Sequence, residues 1–435
     1  MHSSTPIYIA LLGLGHVGQG VLRILQDRFE PLSERMGRPV ILRYVLVRDL
    51  SKYAKIHFND ATLVSDFSII LHDPDISIVV ELIGGEFPAY DYITTSLMNK
   101  KHVITANKEV MAKHQSEFFS LAKTHKVDIC FEAAVAGGIP IIRALKVGFA
   151  ANKINSLHGI LNGTTNYILS KIQADQLPFS EVLKEAQRLG LAEADPSMDV
   201  SGLDAAYKLV LLAGVAFKRL ISLEDVYYEG IEDISLEDIR FAQELGYDIK
   251  LLAIGKHFED KGYSFKVHPT LIPHSHSLCG IKDESNAVFV YGDAVGESLL
   301  AGKGAGGAPT ASAVVSDLID LIFEIDQPRS LRNLDTELIP CECLAMDQSF
   351  SQFYLRLLVK DEAGSLESVS RALRDSNLSI SSVLQKEASD TTASLIIVTH
   401  TCFESEFNTA KAAIEGLDCV LNLASVIRVR LDEDD

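Results

Sequence analysis

The chain has 435 residues, 47% of them hydrophobic and 23% charged, with a formal net charge of −19. That length exceeds one ordinary core, so two or three domains are expected, and the composition excludes a disordered or fibrous protein. The acidic balance argues against broad nucleic-acid or anionic-membrane binding, which needs clustered Lys and Arg, while leaving room for one local basic pocket. The six cysteines are scattered and form no disulfide framework, and Cys341-Glu342-Cys343 lacks the spacing of a zinc knuckle. Residues 1–6 read as no secretory signal, and the longest apolar run, 209–217, falls short of the ~20 residues of a membrane span. A reduced, cytoplasmic setting is expected.

Along the chain, residues 7–12 form an apolar run ending in glycine, which predicts a buried strand. Gly13-Leu14-Gly15-His16-Val17-Gly18 follows, and then Val21, Leu22, Ile24 and Leu25 recur at helical spacing. Further strands are predicted at 41–47, 77–83 and 102–105, with a helix at 88–99. Strand alternating with helix implies a doubly wound parallel sheet of the Rossmann type, over residues 1–150. From 151 to 303 the pattern changes to helices at 162–174, 179–191 and 201–217, then strands at 249–255, 263–271 and 287–291, giving a second, α+β domain for catalysis and dimerisation. The glycine-rich stretch 302–308 opens a helix at 310–323, so that 304–330 complete the first domain. Residues 331–350 read as a linker. The last segment, 351–435, runs strand 353–359, a helix with Leu366, Val369 and Leu373 on one face, strands 378–385 and 393–399, helix 404–415 and strand 420–429. That βαββαβ order is the ferredoxin-like plan.

The glycine fingerprint has a mechanical reason. Gly13 permits a tight turn, Gly15 lets the backbone approach a pyrophosphate, Gly18 allows close helix–strand packing, and the helix N-terminus offers free N–H groups to phosphates. The alternative, a tight glycine turn without a ligand, is weakened by the context: the motif follows the first strand and opens an amphipathic helix. An acid at the end of the second strand would bind the ribose 2′-OH of NAD, and an arginine there would accommodate the 2′-phosphate of NADP. Arg48-Asp49 offers both, with Lys52 one turn on; Arg48 stands first past the strand and tilts the reading to NADP over NAD. Asp204 and Lys208 are four apart on a predicted helix and share one face, an arrangement also common in surface ion pairs. Lys108 stands just past a strand end, at the edge where open α/β sheets bind ligands.

Val80-Glu81-Leu82-Ile83-Gly84-Gly85, residues 102–108, 132–140, 161–166, Ala192-Glu193-Ala194-Asp195-Pro196, 204–208 and Gly304-Ala305-Gly306 with Pro309-Thr310 together resemble homoserine dehydrogenase, in the family's order. The resemblance implies NAD(P)H-linked interconversion of L-aspartate 4-semialdehyde and L-homoserine, on the way to threonine, methionine and isoleucine. Lys208 matches the family's proton-donor lysine, Asp204 its orienting acid, and Lys108 a lysine between cofactor and substrate that polarises the carbonyl. Substrate contacts fall to Glu193, which would bind the α-ammonium, and to Asp199, Gly163 and Thr164. Cofactor contacts extend to Thr105 and Gly306. Glu132 with the backbone of Val135, Gly137 and Ile139 resembles a monovalent-cation site, suited to Na⁺; a glycine-rich turn with a capped acid is the alternative. The C-terminal segment resembles an ACT regulatory domain, whose strand-to-helix turn reads Asp361-Glu362-Ala363-Gly364-Ser365-Leu366 here, with Ala363 and Ser365 where the family has proline and valine. Asp361, Gly364 and Leu366 would meet an effector, expected to be L-threonine, in a homodimer or homotetramer. A phosphoglycerate-type 2-hydroxyacid dehydrogenase with an ACT domain would need a catalytic histidine where this chain offers lysines. A non-catalytic amino-acid sensor would have no use for Lys108, Glu193, Asp204 and Lys208. His268, His274 and His276 lack the spacing of a metal site.

Overall fold

The computed structural model describes residues 5–53, 56, 61–259, 261–325 and 338–429. Two compact units emerge, each assembled from separate stretches of chain: Met1–Asn155, Tyr207–Glu224 and Asn286–Cys341 in one, and Ser156–Ala206, Asp225–Ser285 and Glu342–Asp435 in the other.

In the first unit six parallel strands, β1 (Ile7–Leu12), β2 (Val40–Leu46), β3 (Thr62–Val64), β4 (Ile76–Glu81), β5 (His102–Thr105) and β6 (Ile129–Cys130), lie in the order β3-β2-β1-β4-β5-β6. The strand order reverses between β1 and β4, and such a switch point is where doubly wound sheets open a ligand crevice. β1 shows why the sequence lacks polar alternation. Ile7, Ile9 and Leu11 enter one cluster with Val21 and Leu22 of the helix His16–Asp27 and with Ala311, Val314 and Leu318 of the helix Gly307–Glu324. Ala10 and Leu12, on the other face, pack with Ile70 and Val79. A strand covered on both faces must be apolar throughout. Each large side chain so buried contributes about 1.5–3 kcal/mol.

The second unit carries a mixed sheet. β7 (Ile154–Ile160), β8 (Tyr247–Phe258) and β9 (Gly262–Pro273) pair antiparallel, and the β8–β9 hairpin is longer at both ends than the sequence pattern indicates. Beyond them lie β10 (Phe350–Lys360), β11 (Ile380–Ser389), β12 (Thr392–Thr399) and β13 (Val420–Val429), in the order β13-β10-β12-β11. That is the ferredoxin-like arrangement, with Val369, Leu373, Phe407 and Ile414 of its two helices packed on Phe353, Leu355, Leu357 and Ile397. Its edge strand does not stand alone: β13 pairs parallel with β9 through Thr270↔Arg428 and Leu271↔Val429, so the sheet runs on without interruption.

Two expectations are corrected, and one strand is added. Leu366 does not share the buried face of Val369 and Leu373; it is 39% exposed, because Ser365 takes the inward position and donates its hydroxyl to the Lys360 carbonyl at 2.8 Å. Residues 296–303, for which the sequence pattern named no element, form a strand, Gly296–Lys303, whose residues alternate in exposure. Of the stretch read as a linker, 331–337 lies outside the described residues, and the remainder is fastened: Ile339–Pro340 pairs with Arg219–Leu220, and Tyr263 donates its N–H to the Glu342 carbonyl at 3.0 Å.

Candidate active site

β1 runs into Gly13, whose φ of 92° only glycine adopts freely, and the helix His16–Asp27 starts three residues later with Gly15 as its cap. A methyl group on Gly18 would stand 2.3 Å from the Gly13 carbonyl oxygen, so the turn and the helix close on each other only without one. Gly15 differs: a methyl group there meets open space. A cleft of about 550 Å³ opens in front of this turn, lined by Gly13, Leu14, Gly15, Arg48, Lys52 and Tyr92 among others. Its size suits a dinucleotide moiety, and the first-turn N–H groups carry no side-chain cap. His16 and Val17 open the helix, and Gly306 caps the helix Gly307–Glu324 of the same unit with a φ of 113°. The contrast between two glycines makes a test. Gly18→Ala is expected to destabilise the fold by about 1–3 kcal/mol through overpacking, whereas Gly15→Ala should leave the melting temperature nearly unchanged. If Gly15→Ala also weakens dinucleotide binding about tenfold in a titration, the bare backbone at residue 15 contacts the ligand; unaltered binding removes it from the site.

At the strand ends beside this cleft, Arg48 and Lys52 are exposed, and Lys52 lies 5.4 Å from the Tyr53 ring centroid. Asp49 is exposed and lines the same cleft, with one carboxylate oxygen engaged by its own loop: it accepts the Ser51 hydroxyl (2.6 Å), the Ser51 N–H (2.9 Å) and the Lys52 N–H (3.4 Å). These bonds, the Ser51 hydroxyl foremost, hold Asp49 below the usual carboxylate range.

Lys108 is half-buried at the first position of the helix Lys108–His125, after β5. Asn107, which sequence reasoning passed over, caps that helix by accepting the Val110 N–H and donates its amide to the carbonyls of Ile83 (2.9 Å) and Gly85 (2.7 Å). It thereby ties the start of the lysine's helix to the loop that lines the cleft. Thr105 was expected to touch the cofactor. Its side chain is fully buried, donating to the Glu81 carboxylate at 2.5 Å and accepting the Asn107 N–H at 3.0 Å. Burial pushes the Glu81 carboxyl up to about 7, against the hydrogen bonds from Thr105 and Ile83 that favour its charged form.

In the second unit Asn162 caps the helix Gly163–Asp175 by accepting the Thr165 N–H at 2.8 Å. Its amide nitrogen donates to both Asp199 (2.7 Å) and Asp204 (2.8 Å), gathering two carboxylates onto one side chain. Asp204 is buried; Lys208, one turn along the helix Leu203–Phe217 and part of the first unit, is buried as well. Thr164, next to Gly163, donates its hydroxyl to the Leu191 carbonyl at 2.8 Å, which fastens the loop carrying Glu193. Glu193 itself is exposed, and its backbone carbonyl accepts from the Gln187 amide. The clue to Asn162 was available: an asparagine directly before a helical run is a cap, and a cap's free amide hydrogens need acceptors.

The glycine loop after β6 gives a mixed result for a cation. The two Glu132 carboxylate oxygens accept the N–H groups of Ile142 (2.9 Å) and Arg143 (2.8 Å), so the acid caps the start of a helix, as in the capped-turn alternative. The Ile139 carbonyl accepts from the Ile141 N–H at 2.7 Å. Val135 lies between Glu132 and Gly137, and a methyl on Gly137 would come within 2.5 Å of the Gly304 carbonyl oxygen, which accounts for the glycine. Elsewhere, Asp248, His274 and Cys279 lie within metal-ligand distance of each other. Yet Lys282 holds Asp248 at 2.7 Å, Gln173 donates to it at 2.6 Å, and burial pushes the Cys279 thiol up to about 11, so this group is already satisfied as a hydrogen-bonded cluster. At the C-terminal turn Gly364 has a φ of 99° and caps the helix Ser365–Asp375, with Asp361 accepting from Gln385 and Leu366 exposed beside it.

Three family models match the chain in succession: the homoserine dehydrogenase NAD-binding domain over residues 13–132, homoserine dehydrogenase over 140–319, and the ACT domain over 353–419. The homoserine dehydrogenase of Neisseria gonorrhoeae is 43% identical over 431 residues, covering 98% of each chain. That of Bacillus subtilis is 41% identical, covering 97% of this chain and 98% of its own. The crystal structure of a homoserine dehydrogenase from Thiobacillus denitrificans, 43% identical, superposes with a TM-score of 0.94 and covers 99% of both chains. No helix among the described residues is long and apolar enough to cross a membrane. The chain therefore belongs to the homoserine dehydrogenase family: it is an NAD(P)-dependent oxidoreductase that interconverts L-aspartate 4-semialdehyde and L-homoserine and carries a C-terminal ACT domain.

Proposed function

We propose that the enzyme works with NADPH in preference to NADH, in the direction of L-homoserine, and that L-threonine restrains it through the ACT domain. The observation that carries the cofactor preference is the pair of exposed cations in the cleft lining, Arg48 and Lys52, beside an Asp49 with one carboxylate oxygen already engaged by its own loop. One oxygen of the acid that would accept from the NAD ribose is engaged by Ser51 and the Lys52 N–H, while the exposed Arg48 and Lys52 side chains offer two cations to a 2′-phosphate. The bound dinucleotide supplies the hydride. Lys208 gives the proton to the developing alkoxide, Asp204 holds that lysine with Asn162 and Asp199 behind it, and Lys108 polarises the carbonyl. Glu193 takes the substrate ammonium, with Gly163 and Thr164 shaping that wall. Asp361, Gly364 and Leu366 form the effector turn, whose open helix N-terminus suits a carboxylate. A homodimer or homotetramer in the cytoplasm completes the reading, with domains at 1–150 (joined by 304–330), 151–303 and 351–435. A Na⁺ ion at the 132–139 loop would take Glu132 with the backbone carbonyls of Val135, Gly137 and Ile139, since each Glu132 oxygen accepts one N–H and keeps a further lone pair.

Steady-state assays with L-aspartate 4-semialdehyde test this. The KM for NADPH is expected below that for NADH, and Arg48→Ala should raise the NADPH value about tenfold while barely moving the NADH value, the worth of one charge-assisted hydrogen bond. A lower KM for NADH overturns the preference. Added L-threonine should lower the rate; indifference at millimolar levels leaves the ACT domain a purely structural module.

A further inference from the structure

The second unit holds a cavity that no part of the established reaction uses. It has a volume of about 100 Å³ and lies on one face of β8 and β9, closed by the first residues of β10 and the last of β13. The register explains its polarity: Lys256 stands opposite Ser264, and Ile254 opposite both Lys266 and His158, so alternate residues of the hairpin project to this face. The lining includes Lys256, Lys266, Arg428, His158 and His268, and it contains no aspartate or glutamate, in a chain with 59 acids against 40 lysines and arginines.

Lys266 is the decisive residue. It is 8% exposed, yet its ammonium makes no hydrogen bond or ion pair with any described residue. Other deeply buried lysines are satisfied: Lys101 donates to the carbonyls of Asp73 and Ile76, and Lys250 to Asn166 and the Ile281 carbonyl. Burial lowers the Lys266 pKa to about 8, with the nearby Glu404 opposing and Arg428 adding to that fall, so the group still carries its charge at neutral pH. A buried cation without a partner is costly, and the natural partner is a bound anion. Ser264 and Ser351, both buried in the same lining, supply hydroxyl donors. Arg428 is engaged largely by Glu404, Glu229 and Tyr227, and it closes the cavity as a paired cation. The missing acid matters as much: an amino acid would find no partner for its ammonium here, whereas a simple oxyanion needs none.

We propose that this cavity is a binding site for a small oxyanion of the phosphate class, held by Lys266 with Ser264 and Ser351. Because the lining joins β8 and β9 to β10 and β13, the anion pins the ACT strands to the sheet of the substrate domain, and it links the ACT domain to solution conditions apart from any amino-acid effector. The test uses the full-length chain with the dinucleotide cleft filled by saturating NADP⁺, so that phosphate cannot bind there. Inorganic phosphate, compared with chloride at equal ionic strength, is expected to raise the melting temperature and to give a saturable calorimetric isotherm. Lys266→Met should weaken phosphate binding about tenfold or more, the worth of a charge-assisted hydrogen bond, and should melt higher than the wild type when phosphate is absent. Ser351→Ala, a milder change, should weaken binding several-fold with the fold retained and serves if Lys266→Met does not fold. Absence of phosphate-specific stabilisation of the wild type overturns the proposal, as does equal binding by both variants. Acetate matching phosphate overturns the assignment to the phosphate class. A melting temperature that follows protein concentration and ignores phosphate overturns it in favour of a second copy covering this face.

Discussion

Lys208→Ala is expected to lower kcat by about 10²–10⁴-fold while leaving the dissociation constant for NADPH within about twofold of the wild type, the range that general acid–base groups contribute. The reasoning starts from position. Lys208 is 8% exposed on the helix Leu203–Phe217, one turn after Asp204, and Asp204 is held by the same Asn162 amide that holds Asp199. A lysine that merely stabilised the surface would stand in solvent, and Lys208 does not. The dinucleotide cleft is lined by residues between Gly13 and Tyr92 and does not include Lys208, so cofactor affinity reports on something the substitution leaves alone. Rapid-mix kinetics and a fluorescence titration of NADPH separate the two quantities. A variant that retains turnover within tenfold of the wild type takes Lys208 out of proton transfer and leaves Lys108 as the remaining lysine.

The largest stability effect is expected at Asp238. This residue is fully buried, and one oxygen accepts the Arg356 Nε (2.7 Å) and the Tyr354 hydroxyl (3.2 Å). The other accepts the Arg356 Nη2 (3.2 Å) and the Ser235 hydroxyl (2.6 Å) and N–H (3.1 Å), forming the capping box of the helix Leu236–Glu244. Asp238→Ala removes the buried partner of Arg356, whose remaining acid, Glu237, lies toward solvent. Breaking a buried pair from one side costs about 3–5 kcal/mol, because the other charge stays buried, and the lost cap adds about 1 kcal/mol. The expected readout is a melting temperature lower by about 5–10 °C. Arg371→Ala is the comparator: its Glu367 partner is four residues away on an exposed helix face, and the change should cost under about 1 kcal/mol. If the two variants melt alike, the Arg356–Asp238 pair does not anchor β10 of the ACT domain to the substrate domain.

Much of this protein was decided by the order of residues along the chain. The glycine turn, four of the six parallel strands and the βαββαβ C-terminus follow from local periodicity and from glycine at fixed offsets, which act over a few residues and can be read there, whereas the short strands Thr62–Val64 and Ile129–Cys130 carry too few residues to show a pattern. β5, the helix Glu404–Glu415 and β13 begin and end where the pattern says. The resemblance to homoserine dehydrogenase named the family and the lysines, glycines and acids expected in its site.

Other features depend on partners distant in sequence. Asn107 and Asn162 look like ordinary helix caps until their second hydrogen bonds appear, to Ile83 and Gly85 in one case and to Asp199 and Asp204 in the other. Thr105 and Glu132 sit in motif segments, but burial commits the threonine to Glu81 and the glutamate to Ile142 and Arg143. Leu366 has the right spacing for the core and lies outside it, since helical period alone does not say which turn the sheet covers. The cavity around Lys266 arises only when β13 comes back, more than 150 residues later, to pair with β9. Short-range pattern determined the elements and the motif residues; which polar groups were left with partners, and which without, was decided only when the tertiary structure removed water from around them.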